Sequence, residues 1–279
     1  MKRIVTIQDI SGVGKCSVTV ALPIVSAMGV ECAVMPTAVL STHTMFSGFT
    51  FCDLTAELPK MAKHWKEQNL GFDAIYTGYL GSFEQLAFVD QFISDFRQKG
   101  NLVVIDPVMG DNGKLYTGFD RAFALEMGKL CQKADLIIPN ITEACFMLDI
   151  PFTPATDEET VKDILRKLCA KGTKMAALTG VELSEGQTGV MLYRSETDTF
   201  YTYQHKKQPQ SFHGTGDLFA SMCVGALMRG ASVEKALTLA ADMTSLAIET
   251  TLNEPNHNNY GVNFEQIIPE LLATLAKAI

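Results

Sequence analysis

The sequence predicts a single-domain α/β fold over residues 1–279, with a mostly parallel central sheet, helices on both faces and a small β-hairpin insertion. Three observations carry that expectation. Short β-branched apolar runs recur along the chain, and near-continuous apolar strands joined through helices imply a parallel sheet covered on both faces. Helical periodicity fills the intervals between those runs. One late stretch breaks the alternation with two strands around a polar turn.

The strand candidates, in order, are RIVTIQD (3–9), ECAVMPTAV (31–39), FDAIYTG (72–78), NLVVIDPVM (101–109), ADLIIPN (134–140) and TKMAALTG (173–180). Between the third and fourth, Leu86, Val89, Phe92, Ile93 and Phe96 recur at helical spacing, which predicts a helix over 83–99. Thr188 to Gln208 reads as the hairpin. The remainder reads as three helices, 214–229, 232–252 and 263–278, each entered from Gly, Ser or Asn. No repeat, low-complexity tract or linker marks a domain boundary.

With 47% apolar and 19% charged residues, the chain can bury one large core. Its net charge is −8 with no basic block, so the electrostatic footprint of a nucleic-acid or anionic-membrane partner is missing and a small-molecule partner is expected. Seven cysteines lie scattered without a C-x-x-C pair, which suggests reduced thiols and a cytoplasmic protein. The apolar run at the start is too short for a signal peptide or a membrane span.

The segment DISGVGKCS (9–17) follows the first strand and mimics a phosphate-binding loop. That loop needs a glycine five positions before its Gly-Lys pair and a Ser or Thr directly after the lysine. Asp9 and Cys16 occupy those places, and a thiol is a poor ligand for the hard Mg²⁺ ion. The loop therefore serves something other than phosphate, and Lys15 reads as a solvated side chain.

Phosphate chemistry is read instead from FHGTGDLFAS (212–221), where Gly214, Thr215 and Gly216 precede a helix. Glycines let backbone N–H groups approach an anion, and the helix dipole favours negative charge there. Asp217 in the first turn would repel that anion, a conflict that resolves if it is a general base taking the proton of an attacking hydroxyl. The alternative is that it stabilises the helix start. Three strand ends add to the picture: Asp106 with Asp111 and Asn112 downstream, Asn140 with Glu143 one turn on, and Thr179 with Gly180. Singly these read as a turn, a capping box and a strand stop. Together they read as a nucleotide-binding edge, with Glu143 placed to hold a water-coordinated Mg²⁺.

GTGD at a helix start, with DPVMGD and the N-x-x-E of PNITE upstream, resembles the ribokinase-like superfamily. VLSTHT (39–44) and TGYLGS (77–82) are similar to the segments that line the vitamin pocket in its pyridoxal kinases. The resemblance implies ATP-dependent phosphorylation of the 5′-hydroxymethyl group of pyridoxal, pyridoxine or pyridoxamine. It implies a vitamer pocket of Ser11, Leu40, Thr44 and Tyr79, with Asp217 as the base and the amides of 214–217 stabilising charge. It places Asp106, Tyr116, Asn140, Glu143 and Thr179 around ATP, Glu143 and Asp106 at Mg²⁺, and Tyr116 on a flap. It also implies a homodimer, with the hairpin over the site or against a second subunit. HGTG (213–216) is also similar to the hydroxymethylpyrimidine kinases of thiamine synthesis, whose next residue is usually Cys where this chain has Asp217. Ile138 stands where some relatives carry a Thr near a monovalent-cation site, which leaves K⁺ dependence open. His213 is expected to be a loop residue. A hydroxymethylpyrimidine kinase and a non-catalytic vitamer sensor remain the alternatives.

Overall fold

The computed structural model describes residues 1–279. The chain opens with β1 (Arg3–Ser11), α1 (Val18–Ala27), β2 (Glu31–Leu40), β3 (Phe51–Asp53) and α2 (Leu58–Glu67). It continues through β4 (Ala74–Thr77), α3 (Phe83–Phe96), β5 (Leu102–Ile105), β6 (Gly110–Asp111), β7 (Lys114–Leu115) and α4 (Arg121–Cys131). Next come β8 (Leu136–Ile137), α5 (Ile141–Leu148), α6 (Glu158–Ala170), β9 (Met175–Val181), β10 (Gln187–Arg194) and β11 (Thr199–Lys206). Three helices finish it: α7 (Thr215–Met228), α8 (Val233–Leu252) and α9 (Phe264–Ala278). Two compact units result, Met1–Ala74 with Lys207–Ile279, and Ile75–Lys206.

In the first unit β1 pairs with β2 in parallel and β2 with β3 antiparallel. Ile4, Val5 and Ile7 of β1 are fully buried and its polar Thr6 and Gln8 are buried too, so both faces of the strand are covered. That is the pattern of a central parallel strand. Helix α1 packs on β1, β2 and α7, and α8 packs on α7 and α9. Helix α7 buries ten consecutive residues, Asp217 to Ala226, so its first turn is fixed by the core around the rest of it. Phe264, Ile267, Leu271 and Leu275 form the apolar stripe of α9 at the three- and four-residue spacing of one helix face.

In the second unit the strand order is β4, β5, β8, β9, β10, β11. β5/β8 and β8/β9 are parallel, whereas β9/β10 and β10/β11 are antiparallel. The late hairpin is therefore present, with Arg194 opposite Thr199 at its tip. The α/β class with a mostly parallel sheet and a hairpin insertion is what the chain adopts. Boundaries moved where side chains compete for the backbone. α3 ends at Phe96 rather than at 99, because Arg97 turns extended and spends its guanidinium on the Lys133 carbonyl and on Asp135. β9 runs to Val181, so Thr179 lies inside the strand instead of stopping it. A two-stranded ribbon, β6/β7, lies where the sequence carries no strand pattern; Asn112 and Gly113 at its tip have φ of 52° and 75°, the positive pair a tight primed turn requires.

One buried carboxylate ties three segments of this unit. Asp135, its side chain 7% exposed, accepts the Val103 N–H at 2.9 Å, Arg97 Nη2 at 2.7 Å and Lys174 Nζ at 2.6 Å. Burial pushes its carboxyl up, but Lys174, the Val103 amide and Arg97 outweigh that and hold it below the usual carboxylate range. Asp135→Asn leaves two cations and an amide imperfectly matched and is expected to destabilise the protein by about 2 kcal/mol. Thermal denaturation checks this, and an unchanged midpoint contradicts it.

Candidate active site

The loop after β1 is held from several sides within the first unit. Ser11 pairs with Leu40 across the parallel ladder, the Gly12 N–H donates to the Leu40 carbonyl at 2.9 Å, and the His43 N–H donates to the Val13 carbonyl at 3.1 Å. The strand ends carrying Ser11 and Leu40 and the 41–50 turn carrying Thr44 thus form one neighbourhood. Leu40 is buried and Thr44 exposed. Ser11, 1% exposed, donates its hydroxyl proton to Asp9 Oδ2 at 2.9 Å, so toward any ligand it can offer only a lone pair. Asp9 also accepts from Ser17 Oγ at 2.6 Å. Burial pushes the Asp9 carboxyl above its ordinary value, and the two serine hydroxyls oppose the rise.

Lys15 departs from expectation. Instead of extending into solvent it adopts a left-handed backbone, φ 53°, and donates to Asn263 Oδ1 at 3.0 Å and Glu265 Oε2 at 2.8 Å. The clasp ties the loop to the start of α9. Asn263 relays it by donating twice, from its side-chain Nδ2 to Glu254 Oε2 at 2.6 Å and from its backbone N–H to Thr251 Oγ1 at 2.7 Å.

The start of α7 closes against the same loop. Gly214 caps the helix in the left-handed region, φ 79°, and a Cβ there would lie 2.1 Å from the Lys15 carbonyl oxygen. Glycine is required by both conformation and space. Gly216 differs: a Cβ there would meet nothing within 4 Å, so it faces open space. No side chain caps this helix, and the first amides, those of Thr215, Gly216 and Asp217, lack intrahelical acceptors. The Thr215 hydroxyl turns back to the Phe212 carbonyl at 3.0 Å and leaves them uncovered.

Asp217 is 8% exposed, and its Oδ1 has no hydrogen-bond partner. Burial pushes its carboxyl up to about 7, against the Ser17 amide, which lowers it, while the charge of Asp9 adds to the rise. The Cys16 thiol feels both carboxylates and is itself driven up, mainly by burial. His213 is a loop residue stacked on His43 with centroids 4.2 Å apart; burial and His43 push it down to about 4, so it is neutral at pH 7. His43 accepts the Met45 N–H on Nδ1, which puts its proton on Nε2, donated to the Tyr260 carbonyl at 2.8 Å.

The second unit gathers the remaining residues. Asp106 is buried directly after β5, and its N–H donates to the Thr77 carbonyl at 3.0 Å. At the start of α5, Asn140 and Glu143 form a full capping box. Glu143 also accepts the Met109 N–H at 3.1 Å, Asn140 Nδ2 holds the Gly110 carbonyl at 2.8 Å, and Thr142 Oγ1 accepts the Gly113 N–H at 2.9 Å. The cap therefore grips the β6/β7 ribbon, beyond which Tyr116 stands 42% exposed. Burial pushes Glu143 up to about 8, opposed by the amides of Asn140, Met109 and Gly110. Thr179 bridges Asn140 and lies beside the Pro139 carbonyl. Tyr79 is half-buried, its ring 5.5 Å from Phe119. Asp111 is exposed, with both oxygens engaged by Asn112. Ile138 is buried and offers no side-chain oxygen to a cation.

The structure thus brings Asp106, Asn140, Glu143, Thr179 and the ribbon together in one unit, and Ser11, Leu40, Thr44 and the Gly214–Asp217 turn in the other. Asp9, Ser17 and Asn263 were missed. Asp9 was seen only as a misfit to a phosphate loop, and the other two have no sequence signature. No three His, Cys, Asp or Glu side chains gather in metal-holding geometry. Two carboxylates, Asp106 and Glu143, suit Mg²⁺ all the same, since that ion keeps several waters and takes one or two carboxylates with substrate phosphates. All seven cysteines are free, and no helix is long and apolar enough to cross a membrane.

The family model described as phosphomethylpyrimidine kinase matches residues 22–263. A crystal structure from Bacteroides thetaiotaomicron, described as a candidate phosphomethylpyrimidine kinase with pyridoxal, is 42% identical, with TM-score 0.92 over 97% of this chain and 95% of that one. The pyridoxal kinase of Lactobacillus plantarum is 32% identical, with TM-score 0.89 over 98% of this chain and 97% of that one. The pyridoxine/pyridoxal/pyridoxamine kinase of Bordetella avium is 26% identical over 95% of this chain and 93% of its own length. The chain spans about half the length of two other curated relatives, 47% of one from Caenorhabditis elegans and 45% of one from Arabidopsis thaliana.

A carboxyl raised from 3.8 to about 7 makes a stability prediction. Between those values native Asp217 keeps a proton that the unfolded chain has lost, so stability falls as pH rises through the window. Asp217→Asn escapes that loss and is expected to be more stable than the parent at pH 8, by up to about 4 kcal/mol, with the gap closing toward pH 4. Melting curves across pH check it; a variant less stable at pH 8 contradicts it.

Proposed function

We propose, because this chain belongs to the phosphomethylpyrimidine kinase family and with it to the pyridoxal kinases of the ribokinase-like superfamily, that it transfers the γ-phosphoryl group of ATP to the 5′-hydroxymethyl group of pyridoxal, pyridoxine or pyridoxamine. The observation that carries the chemistry is Asp217: a buried carboxylate with one unpartnered oxygen, in the first turn of a helix whose leading amides are uncovered. A base with a proton affinity near neutrality is matched to proton transfer at pH 7. Asp217 takes the hydroxyl proton as that oxygen bonds to phosphorus and the bond to the departing ADP breaks. The amides at 214–217 donate to the transferring group where charge accumulates. A bound Mg²⁺ supplies charge neutralisation on the β- and γ-phosphates, and Asp106 and Glu143 are the residues that would hold it through its waters.

For the vitamer, Ser11 accepts from a ring substituent, Leu40 packs on the ring face, and Thr44 and Tyr79 complete the recognition set. Asn140, Thr179 and Tyr116 serve ATP, with Tyr116 on the short ribbon as a flap. The protein acts as a homodimer in the cytoplasm. Ile138 gives a monovalent cation no side-chain ligand.

A second reading, phosphorylation of hydroxymethylpyrimidine, is favoured by the His213-Gly214-Thr215-Gly216 sequence and by the matching family description. Comparing kcat/KM for the two alcohols decides between them, because a pocket built to hydrogen-bond one ring penalises another strongly. Pyridoxal is expected to be the better substrate; preference for the pyrimidine reverses the assignment. A non-catalytic sensor releases no ADP with any of these alcohols.

Asp217→Asn is expected to lower kcat by about 10²- to 10⁴-fold with little change in ATP affinity. The parent's kcat/KM is expected to rise with pH through an acid limb near 7, where Asp217 ionises. Steady-state assays of ADP release measure both, and turnover near the parent's in the variant removes the base assignment.

A further inference from the structure

Asp9 is a buried carboxylate in a strand whose other residues are chosen for the core, and its hydrogen-bond partners are two serine hydroxyls rather than a cation. Burying a charge on those terms is costly, so its presence calls for a reason. Its shorter contact, 2.6 Å from Ser17 Oγ, lies in the range of a charge-assisted bond.

Ser17 is unusual in two further ways. It stands at the N-cap of α1, where a serine side chain ordinarily accepts from a helix amide, yet it makes no capping bond because its hydroxyl is drawn to Asp9. Its backbone sits at φ 49°, ψ −132°, which non-glycine residues seldom adopt. The Ser17 amide is the one backbone group that opposes the effect of burial on the Asp217 carboxyl. Gly214 presses on Lys15 and Cys16 next door, with a Cβ there 3.3 Å from Cys16 Cα, so the strained backbone and the base share one packed neighbourhood.

We propose that Asp9, acting through the hydroxyl and backbone of Ser17, is the positioning residue for Asp217. The inference rests on the reading of Asp217 as the base. Asp9 draws the Ser17 side chain away from capping and so holds the 15–17 turn on which Gly214 seats the start of α7, which fixes where the Asp217 carboxylate stands. The titratable groups whose influence reaches this pair are Cys16, between the two carboxylates, and His43, acting on Asp9. Lys15 is committed to Asn263 and Glu265.

The test compares Asp9→Asn, Ser17→Ala and Asp217→Asn in the full chain, with pyridoxal and ATP as substrates in Mg²⁺ buffer across pH. Asp9→Asn and Ser17→Ala are each expected to lower kcat about 10- to 10²-fold, the scale of a misplaced catalytic group, while the KM for ATP holds. The acid limb of kcat/KM is expected to move to lower pH in Asp9→Asn, where a like charge is gone, and to higher pH in Ser17→Ala, where the amide is no longer held. Opposite shifts are something a merely structural role would not produce. If Asp9→Asn does not fold, Ser17→Ala, which removes a single oxygen, decides. An inactive Asp217→Asn beside parent-like kcat and an unmoved acid limb in the other two overturns the positioning role alone. A fully active Asp217→Asn overturns the base and this inference together.

Discussion

Two carboxylates, Asp9 and Asp217, are kept from water beneath the same short loop, and neither is neutralised by a lysine or arginine. Much else in the first unit follows from accommodating them. Lys15 would be the obvious counter-ion from its place in the sequence, yet it is drawn to Asn263 and Glu265. Serine hydroxyls and one backbone amide do the stabilising instead. Donors of that kind hold a carboxylate in place without suppressing its basicity as a guanidinium or ammonium group would. A salt bridge at Asp217 would have given a better folded protein and a poorer base.

The same trade governs the backbone. Lys15 and Ser17 both sit at positive φ, and Gly214 must be glycine to fit against Lys15 and Cys16. Strain of this sort persists where the surroundings over-determine it, and here the ladder from Ser11 to Leu40, the lysine clasp and the buried body of α7 do so. In the second unit a helix cap does comparable work by other means. Asn140 and Glu143 satisfy the start of α5 and at the same time hold the ribbon that carries Tyr116 toward solvent. A residue pair that looks purely structural thereby sets the position of an exposed aromatic side chain.

Much of this was legible in the amino-acid sequence. Strands buried on both faces announce themselves as apolar runs, the hairpin as alternation around a polar turn, and the last three helices by their Gly, Ser and Asn starts. Asp217 was legible because a carboxylate beside an anion-binding turn is a contradiction that demands a role. Asp9 and Ser17 were not, since their meaning lies in a hydrogen bond between residues eight apart and in a φ of 49° at a serine, neither of which has a periodicity. Lys15 was misread because its partners lie about 250 positions away at the start of α9. The β6/β7 ribbon was overlooked although Asn112-Gly113 is a strong turn signal, because strands of two residues carry no pattern.

Everything at this site turns on burial raising the Asp217 carboxyl to near neutrality in the folded protein. Site-resolved ¹³C NMR of the side-chain carboxyl groups, assigned by loss of one resonance in Asp217→Asn, reads that directly without substrate or turnover. The expected result is a carboxyl that titrates with a midpoint of about 7. A midpoint in the ordinary aspartate range, near 4, would contradict it.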